Sequence, residues 1–448
     1  MRVGRTRDQD PGADTMVTMP SSPRLRATRR ARVTVSIVAA ASVVTACHGG
    51  TPHQGAAATN SSSAFPTLIS SPSAGTPSAP PRRTLAPSAA AVPLGLGYLA
   101  PGSDPSVPPR RASAPSAAAV PSGPGYLAPG SDPSVLPGPI LVADEGNNRA
   151  VLIEPTGQVI WQFPRPGDLP AGQTFKVPDD TFFSADGKTI IATQEEDFAV
   201  SLIDVASRTI TYRYGQPGVP GSGPNRLDNP DDALLLPDGS ILTADIKNCR
   251  ILRIAAGTHV PAHIYGTTGV CRHNPPISFG SPNGAFPLRD ANLLVTEING
   301  DWVDEMTLGG SILWSVHPPQ VAYPSDTNEV TPGTYLTVDY STPGQIVMFD
   351  RSGRTLWRYR PTGAAELNHP SLALPLPNGD VLATDDHNDR VIVVDPRTSQ
   401  VVWQYGHRGV PGSGAGYLNG PDGADLSGPA SLLAQFAPAL HEAVAAAP

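Results

Sequence analysis

One pattern recurs six times between residues 139 and 429, and it constrains the fold more than any other property of this chain. Each unit opens with a short β-branched run that ends in an acidic residue, at Asp144, Glu195, Asp245, Glu297, Asp339 and Asp385. An aromatic residue or His follows 17 or 18 residues later, at Trp161, Tyr212, His263, Trp314, Trp357 and Trp403. A third marker, Pro followed by Asp, Asn or Ser, stands at Pro178, Pro230, Pro282, Pro324, Pro370 and Pro421. Short β-branched runs punctuated by Gly, Pro and Asp read as strands joined by turns. A repeat averaging about 48 residues has the length of a four-stranded propeller blade. The markers therefore predict an all-β fold, a six-bladed β-propeller. The sixth Pro step follows the last complete unit, whereas the first unit begins without one. Pro421 to Leu426 is thus expected to supply the innermost strand of the first blade and leave no unpaired edge at the seam.

Within the units, Ala143-Asp144 with Asn147-Asn148-Arg149, Ala244-Asp245 with Asn248 and Arg250, and Asp385 with Asn388 and Arg390 resemble NHL repeats. The Gly-x-x-x-Trp steps at Gly157/Trp161, Gly310/Trp314 and Gly353/Trp357 resemble the quinoprotein-type repeat. Both resemblances imply propeller architecture and say little about activity, because such folds host many functions. Blades four and five depart from the Asn-x-Arg element, with Asn299-Gly300-Asp301-Trp302 and Tyr340-Ser341-Thr342-Pro343 in its place. The repeated acids and Arg read as scaffolding, one role per blade, and the aromatic marker reads as packing between blades.

The N-terminus carries an address. Arg24, Arg26, Arg29, Arg30 and Arg32 precede Val33 to Ala46, 14 residues without charge. Such a run is too short to span a bilayer and reads as the apolar part of an export signal over residues 1–46. Val44-Thr45-Ala46-Cys47 resembles the lipobox of bacterial lipoproteins, which implies acylation of Cys47 and a membrane partnership through the lipid. Residues 47–138 hold 18 Pro between His48 and Gly138, with Ala, Ser and Gly making up most of the remainder. They are expected to form a disordered tether. Within it Ala86–Pro93 recurs at Ala114–Pro121 and Gly97–Val107 at Gly125–Val135, a tandem duplication of period 28. The tail at 430–448 places Leu432, Phe436, Leu440 and Val444 at spacing four, a short helix weakened by Pro438.

Removing the signal takes away eight Arg and three Asp, five positive charges net, so the formal charge goes from −8 to −13. A nucleic-acid partner is not expected of so acidic a protein. Cys249 and Cys271 remain besides Cys47, and an even pair in an exported chain is expected to form a disulfide. No Cys-x-x-Cys or Cys/His cluster accompanies them, so a zinc site is not expected. The two Gly-Val-Pro-Gly-Ser-Gly stretches, 218–223 and 409–414, precede a Pro step and not a helix, which argues against a phosphate loop.

The Pro step is the most informative candidate site, because the start of an innermost strand faces the central channel. Asp179, Asp231, Asn283, Ser325, Ser371 and Asp422 follow the six Pro, with Asp180, Asp232 and Asp326 one residue on and His369 just before Pro370. Hard oxygen ligands converging on one mouth suit Ca²⁺ or another divalent cation, with Asp179, Asp231, Asn283, Asp326 and Asp422 as the ligand set. The competing reading is turn chemistry, in which these side chains bond nearby backbone. His317 and His369 fall in connections between blades, as a base, a metal ligand or ordinary loop residues. Trp302, Tyr323 and Tyr340 are candidates for a binding surface. No Gly-x-Ser-x-Gly or His-Glu-x-x-His occurs. The expected function is a binding module taking a protein or small molecule at the channel mouth. The alternative is an enzyme: a metal-dependent hydrolase or lyase, a sulfotransferase-like enzyme, or a quinone-dependent dehydrogenase, the last disfavoured because those enzymes close eight blades.

Overall fold

The computed structural model describes residues 125–446. The signal, Cys47 and the tether up to residue 124 lie outside the described residues. Each of the six units folds into a four-stranded antiparallel sheet. In blade one the strand Pro421–Leu426 lies innermost, beside Ile140–Asp144, with Arg149–Ile153 and then Val159–Phe163 outside it. Blades two to five begin innermost at Pro178–Phe183, Pro230–Leu235, Pro282–Pro287 and Pro324–Thr331, and blade six at Ala373–Pro375. The protein is thus a six-bladed β-propeller closed by its own C-terminal strand, and the second and third strands of the blades are largely buried.

A recurrent loop explains the spacing of the Asn-x-Arg element. In blade one the second strand ends at Asp144, a single 3-10 turn covers Glu145–Asn147, and Asn148 takes a left-handed φ of 54° before the next strand. Blades two, three and six repeat this with Phe198, Cys249 and Asp389 at φ of 56°, 55° and 55°. The turn brings Asn147 Nδ2 to 2.9 Å from both oxygens of Asp144. Arg149 Nε then donates to Asp144 Oδ2 at 2.6 Å. The pairs Arg250–Asp245 and Arg390–Asp385 close at 2.8 and 2.7 Å. Blade two shows a difference. Its strand ends at Gln194, not at Glu195, and Gln194 Nε2 donates to Asp197 Oδ2 at 3.2 Å. An amide fills the scaffold position there, which frees Glu195 to face elsewhere.

The aromatic marker lies on the outermost strand and stitches one blade to the next. Trp161 Nε1 donates to the Val205 carbonyl at 3.0 Å, Trp314 Nε1 to Arg351 at 2.6 Å, and Trp403 Nε1 to Pro155 at 2.8 Å. Tyr212 Oη donates in the same way to Thr258. Every acceptor sits in the outer hairpin of the following blade, and Trp403 to Pro155 carries the pattern across the seam from blade six to blade one. Trp357 Nε1 has no hydrogen-bond partner.

Residues 125–138, assigned to the tether by composition, are ordered against the propeller. Ala128 and Asp132 donate backbone hydrogen bonds to Gln404 and Val402 at 3.1 and 2.8 Å, along the outer strand of blade six. Tyr126 stacks on His407 with ring centroids 4.2 Å apart, and its N–H bonds the Gly157 carbonyl at 3.2 Å. Gly157 has φ 81°, and a Cβ there would strike the Tyr126 backbone, so both turn and crossing require glycine. Composition misses this segment because covering a sheet edge needs backbone groups more than apolar side chains.

The tail forms a helix, Leu432–Ala446, that runs through Pro438. Leu432, Leu433, Phe436, Leu440 and Val444 bury one face in the main apolar cluster with Phe182, Leu236 and Phe286. The helix meets the innermost strands of blades two and four. Asp425 holds its start, accepting from Leu432 N at 2.9 Å while also accepting from Phe183 N at 2.8 Å. Burial of five large side chains offsets the hydrogen bond that Pro438 cannot make. No helix among the described residues is long and apolar enough to cross a membrane.

Candidate functional site at the channel mouth

The innermost strands do not alternate faces regularly at their starts. Register shifts occur between Pro178 and Thr181, Pro230 and Ala233, Pro282 and Gly284, and Ser325 and Thr327. A bulge of this kind re-aims side chains. Here it lets consecutive acids, Asp179-Asp180 and Asp231-Asp232, both join the carboxylates gathered from neighbouring blades.

Two groups of three result. Asp179, Asp180 and Asp231 bring ligand atoms within 4.8 Å of one another, and so do Asp180, Asp232 and Asp326. Glycine makes room for them. A Cβ on Gly423 would clash with the Asp180 carboxylate, and one on Gly284 with that of Asp232. Asp180, Asp232 and Asp326 are 2%, 2% and 1% exposed. Asp180 Oδ1, both Asp232 oxygens and Asp326 Oδ1 receive no hydrogen bond. Burial first, and then the charge of neighbouring carboxylates, pushes Asp179, Asp180, Asp231, Asp232 and Asp422 well above the usual range. Burial raises Asp326 to about 6 and Glu195 to about 7. Glu195 belongs to this charged neighbourhood, since its charge bears on Asp179, Asp180 and Asp231.

The single five-ligand ring read from the sequence is therefore divided. Asp179 and Asp231 share one group through Asp180, and Asp326 belongs to the other. Asp422 joins Glu145 and Asp386 in a third group, while its charge also bears on Asp179. Asn283 donates to Ser325 Oγ at 3.1 Å beside Asp326. The sequence put weight on the residue directly after each Pro. The bulges make the second residue, Asp180 or Asp232, equally central.

The aromatic candidates divide as well. Tyr323 and Tyr340 lie 5.4 Å apart between ring centroids, and burial together with Glu195, Asp231, Asp179 and Asp422 drives the Tyr323 hydroxyl above its ordinary range. Tyr340 Oη donates to Asp386 Oδ2 at 3.1 Å, and its ring meets His369 edge-on at 4.9 Å. His369 in turn lies 4.2 Å from His387. These residues rim the acidic mouth. Trp302 belongs to blade four, where its ring meets His317 at a tilt of 34° with centroids 3.6 Å apart and stacks on His273 at 4.0 Å. Cys249 and Cys271 are joined by a disulfide.

Residues 270–420 match the family described as outer membrane protein assembly factor BamB, a family of quinoprotein-like repeats. No curated protein sequence matches the chain. Similar solved structures include a protein of unknown function from Bacteroides caccae, 17% identical over 64% of this chain and 98% of its own, with a TM-score of 0.44. Another is virginiamycin B lyase from Staphylococcus aureus with quinupristin, 17% identical over 59% of this chain and 83% of its own, TM-score 0.40. A putative 6-phosphogluconolactonase from Bacteroides uniformis is 12% identical over 64% of this chain and 99% of its own, TM-score 0.41.

Proposed function

We propose that this propeller is an extracytoplasmic binding module, held to the outer face of the bacterial cell membrane through a lipid on Cys47, whose channel mouth takes a divalent cation and through it a ligand or protein. The observation that carries the reading is the set Asp180, Asp232 and Asp326. Three carboxylates, each almost fully buried, converge with oxygens that accept no hydrogen bond. Left ionised and unpaired they repel and destabilise the fold, whereas a hard cation turns the same oxygens into ligands. An all-oxygen set of carboxylates, with Asn283 and Ser325 alongside, suits Ca²⁺ better than a metal that prefers nitrogen or sulfur. Tyr323 and Tyr340 give the mouth an aromatic rim, and aromatic side chains are favoured at recognition surfaces. The Cys249–Cys271 bridge supports an oxidising compartment.

A second reading, a metal-dependent hydrolase or lyase, is favoured by one feature, the His369–His387 pair beside Tyr340 and Asp386. Calorimetric titration of the purified chain with Ca²⁺ tests the first reading. Saturable binding that is lost in Asp180→Asn supports a cation site at the mouth, and a flat titration removes it. Cell fractionation of the parent and Cys47→Ala tests the anchor separately.

A further inference from the structure

Blade four departs from the scaffold in a way that creates a second, chemically different cluster. In blades one, three and six the strand-end acid is neutralised by an Arg five residues later. In blade four that position is Trp302, which pairs across the strands with Glu297 and brings no charge. Two residues further on, where blades one, three and six carry Val151, Leu252 and Ile392, stands a second acid, Asp304. Glu297 and Asp304 are both fully buried. The basic group that meets them comes from another blade's connection: His273 Nδ1 lies 3.0 Å from Glu297 Oε1 and 3.8 Å from Asp304 Oδ2.

We propose that His273, Glu297 and Asp304 form a binding site for a divalent first-row transition ion such as Zn²⁺, independent of the channel mouth. Three features support it. One ligand atom from each residue lies within 4.8 Å of the others. Both Asp304 oxygens are buried with no hydrogen-bond donor in good geometry, and the basic atom that faces them, His273 Nδ1, stands 3.8 Å from Oδ2. The imidazole is also positioned in advance. Cys271, two residues before it, is tied to Cys249, and the His273 ring stacks on Trp302 at an interplanar angle of 8°. Glu297 is fixed from the other side by a hydrogen bond from the Gly280 N–H to its Oε2. One imidazole nitrogen and two carboxylates make a three-residue set that leaves a coordination position open, the arrangement of zinc sites that bind a further ligand. The mixed nitrogen and oxygen donors distinguish it from the all-oxygen mouth. The absence of a Cys/His motif argued against zinc from the sequence, but these ligands come from a connection and two strand positions and show no motif.

The test uses the untagged full chain, stripped with chelator and titrated with Co²⁺ and Zn²⁺. One equivalent of Co²⁺ should give visible absorption that Zn²⁺ displaces. His273→Ala should weaken binding by at least the ~10–100-fold typical of losing even an outer-shell partner. Asp304→Asn, which keeps the shape of the buried side chain while removing its charge, should do the same. Asp326→Asn at the channel should leave it intact. Absence of a Co²⁺ signal in the parent, or equal binding by Asp304→Asn, overturns the site. A signal that vanishes only in Asp326→Asn assigns the ion to the mouth and also overturns it.

Discussion

Replacing Asp326 by Asn tests the electrostatics of the mouth, and its effect is predicted in sign as well as size. Burial raises the Asp326 carboxyl from an ordinary 3.8 to about 6. A group whose folded value is raised gives its full stability below the unfolded value and loses it as pH climbs through the folded one. In the cation-free protein the loss falls between about pH 4 and pH 7 and amounts to about 3 kcal/mol for this one group. Asn cannot ionise, and its amide can donate to the Asp232 oxygens that lack a donor. With chelator present, the variant and parent should melt together at pH 4 and diverge by about 4 °C, variant higher, at pH 8. Asp232 adds to the gap, because the charge on Asp326 contributes to raising it. Saturating Ca²⁺ should reverse the order, since only the parent keeps the full ligand set and gains by preferential binding to the folded state. Thermal melts followed by circular dichroism at both pH values, with and without Ca²⁺, give the whole comparison. Parallel curves for the two proteins under all four conditions would refute the argument and return the mouth to turn chemistry.

Trp403→Phe should cost about 1 kcal/mol for its hydrogen bond to Pro155, beyond the packing it loses, whereas Trp357→Phe should cost less because that N–H has no partner; urea unfolding of both variants checks the contrast. Reducing the Cys249–Cys271 bridge, which spans 22 residues, should lower stability by about 3 kcal/mol, and a thiol titration finding two free thiols in the unreduced, denatured parent would contradict it. Deleting residues 421–448 should abolish cooperative melting, since blade one loses its innermost strand and the apolar cluster around Phe182 and Phe286 loses the helix packed on it. Cys47→Ala should move the protein from the membrane to the soluble fraction in detergent partitioning.

The architecture was legible because each marker has one physical job that recurs in several blades. Asp144, Asp245 and Asp385 are bound by Arg at a spacing that the intervening turn dictates, and Trp161, Trp314 and Trp403 reach the next hairpin from equivalent places. The same logic misled at Glu195. An acid one residue late still satisfies a tolerant spacing, and Gln194 performs the scaffold role without a charge. Glu195 is consequently a residue of the mouth. Sequence found the channel acids but not their grouping, because a bulge cannot be read from strand-forming residues alone. His273 was out of reach. It is 24 residues from Glu297, and nothing in its neighbourhood except Cys271 marks it.

The lead-in along blade six has a mechanical consequence. Ala128 and Asp132 are bonded to the outer strand of blade six before the chain enters blade one. A pull on the chain ahead of residue 125 therefore loads the rim of the propeller at its seam, while anything seated at the channel acids loads the axis. Force arriving at the rim is shared by a row of backbone hydrogen bonds, the Tyr126 stack and the Trp403 link before it reaches the strand beginning at Ile140. Load applied through this lead-in thus reaches the propeller at its circumference and not at its axis.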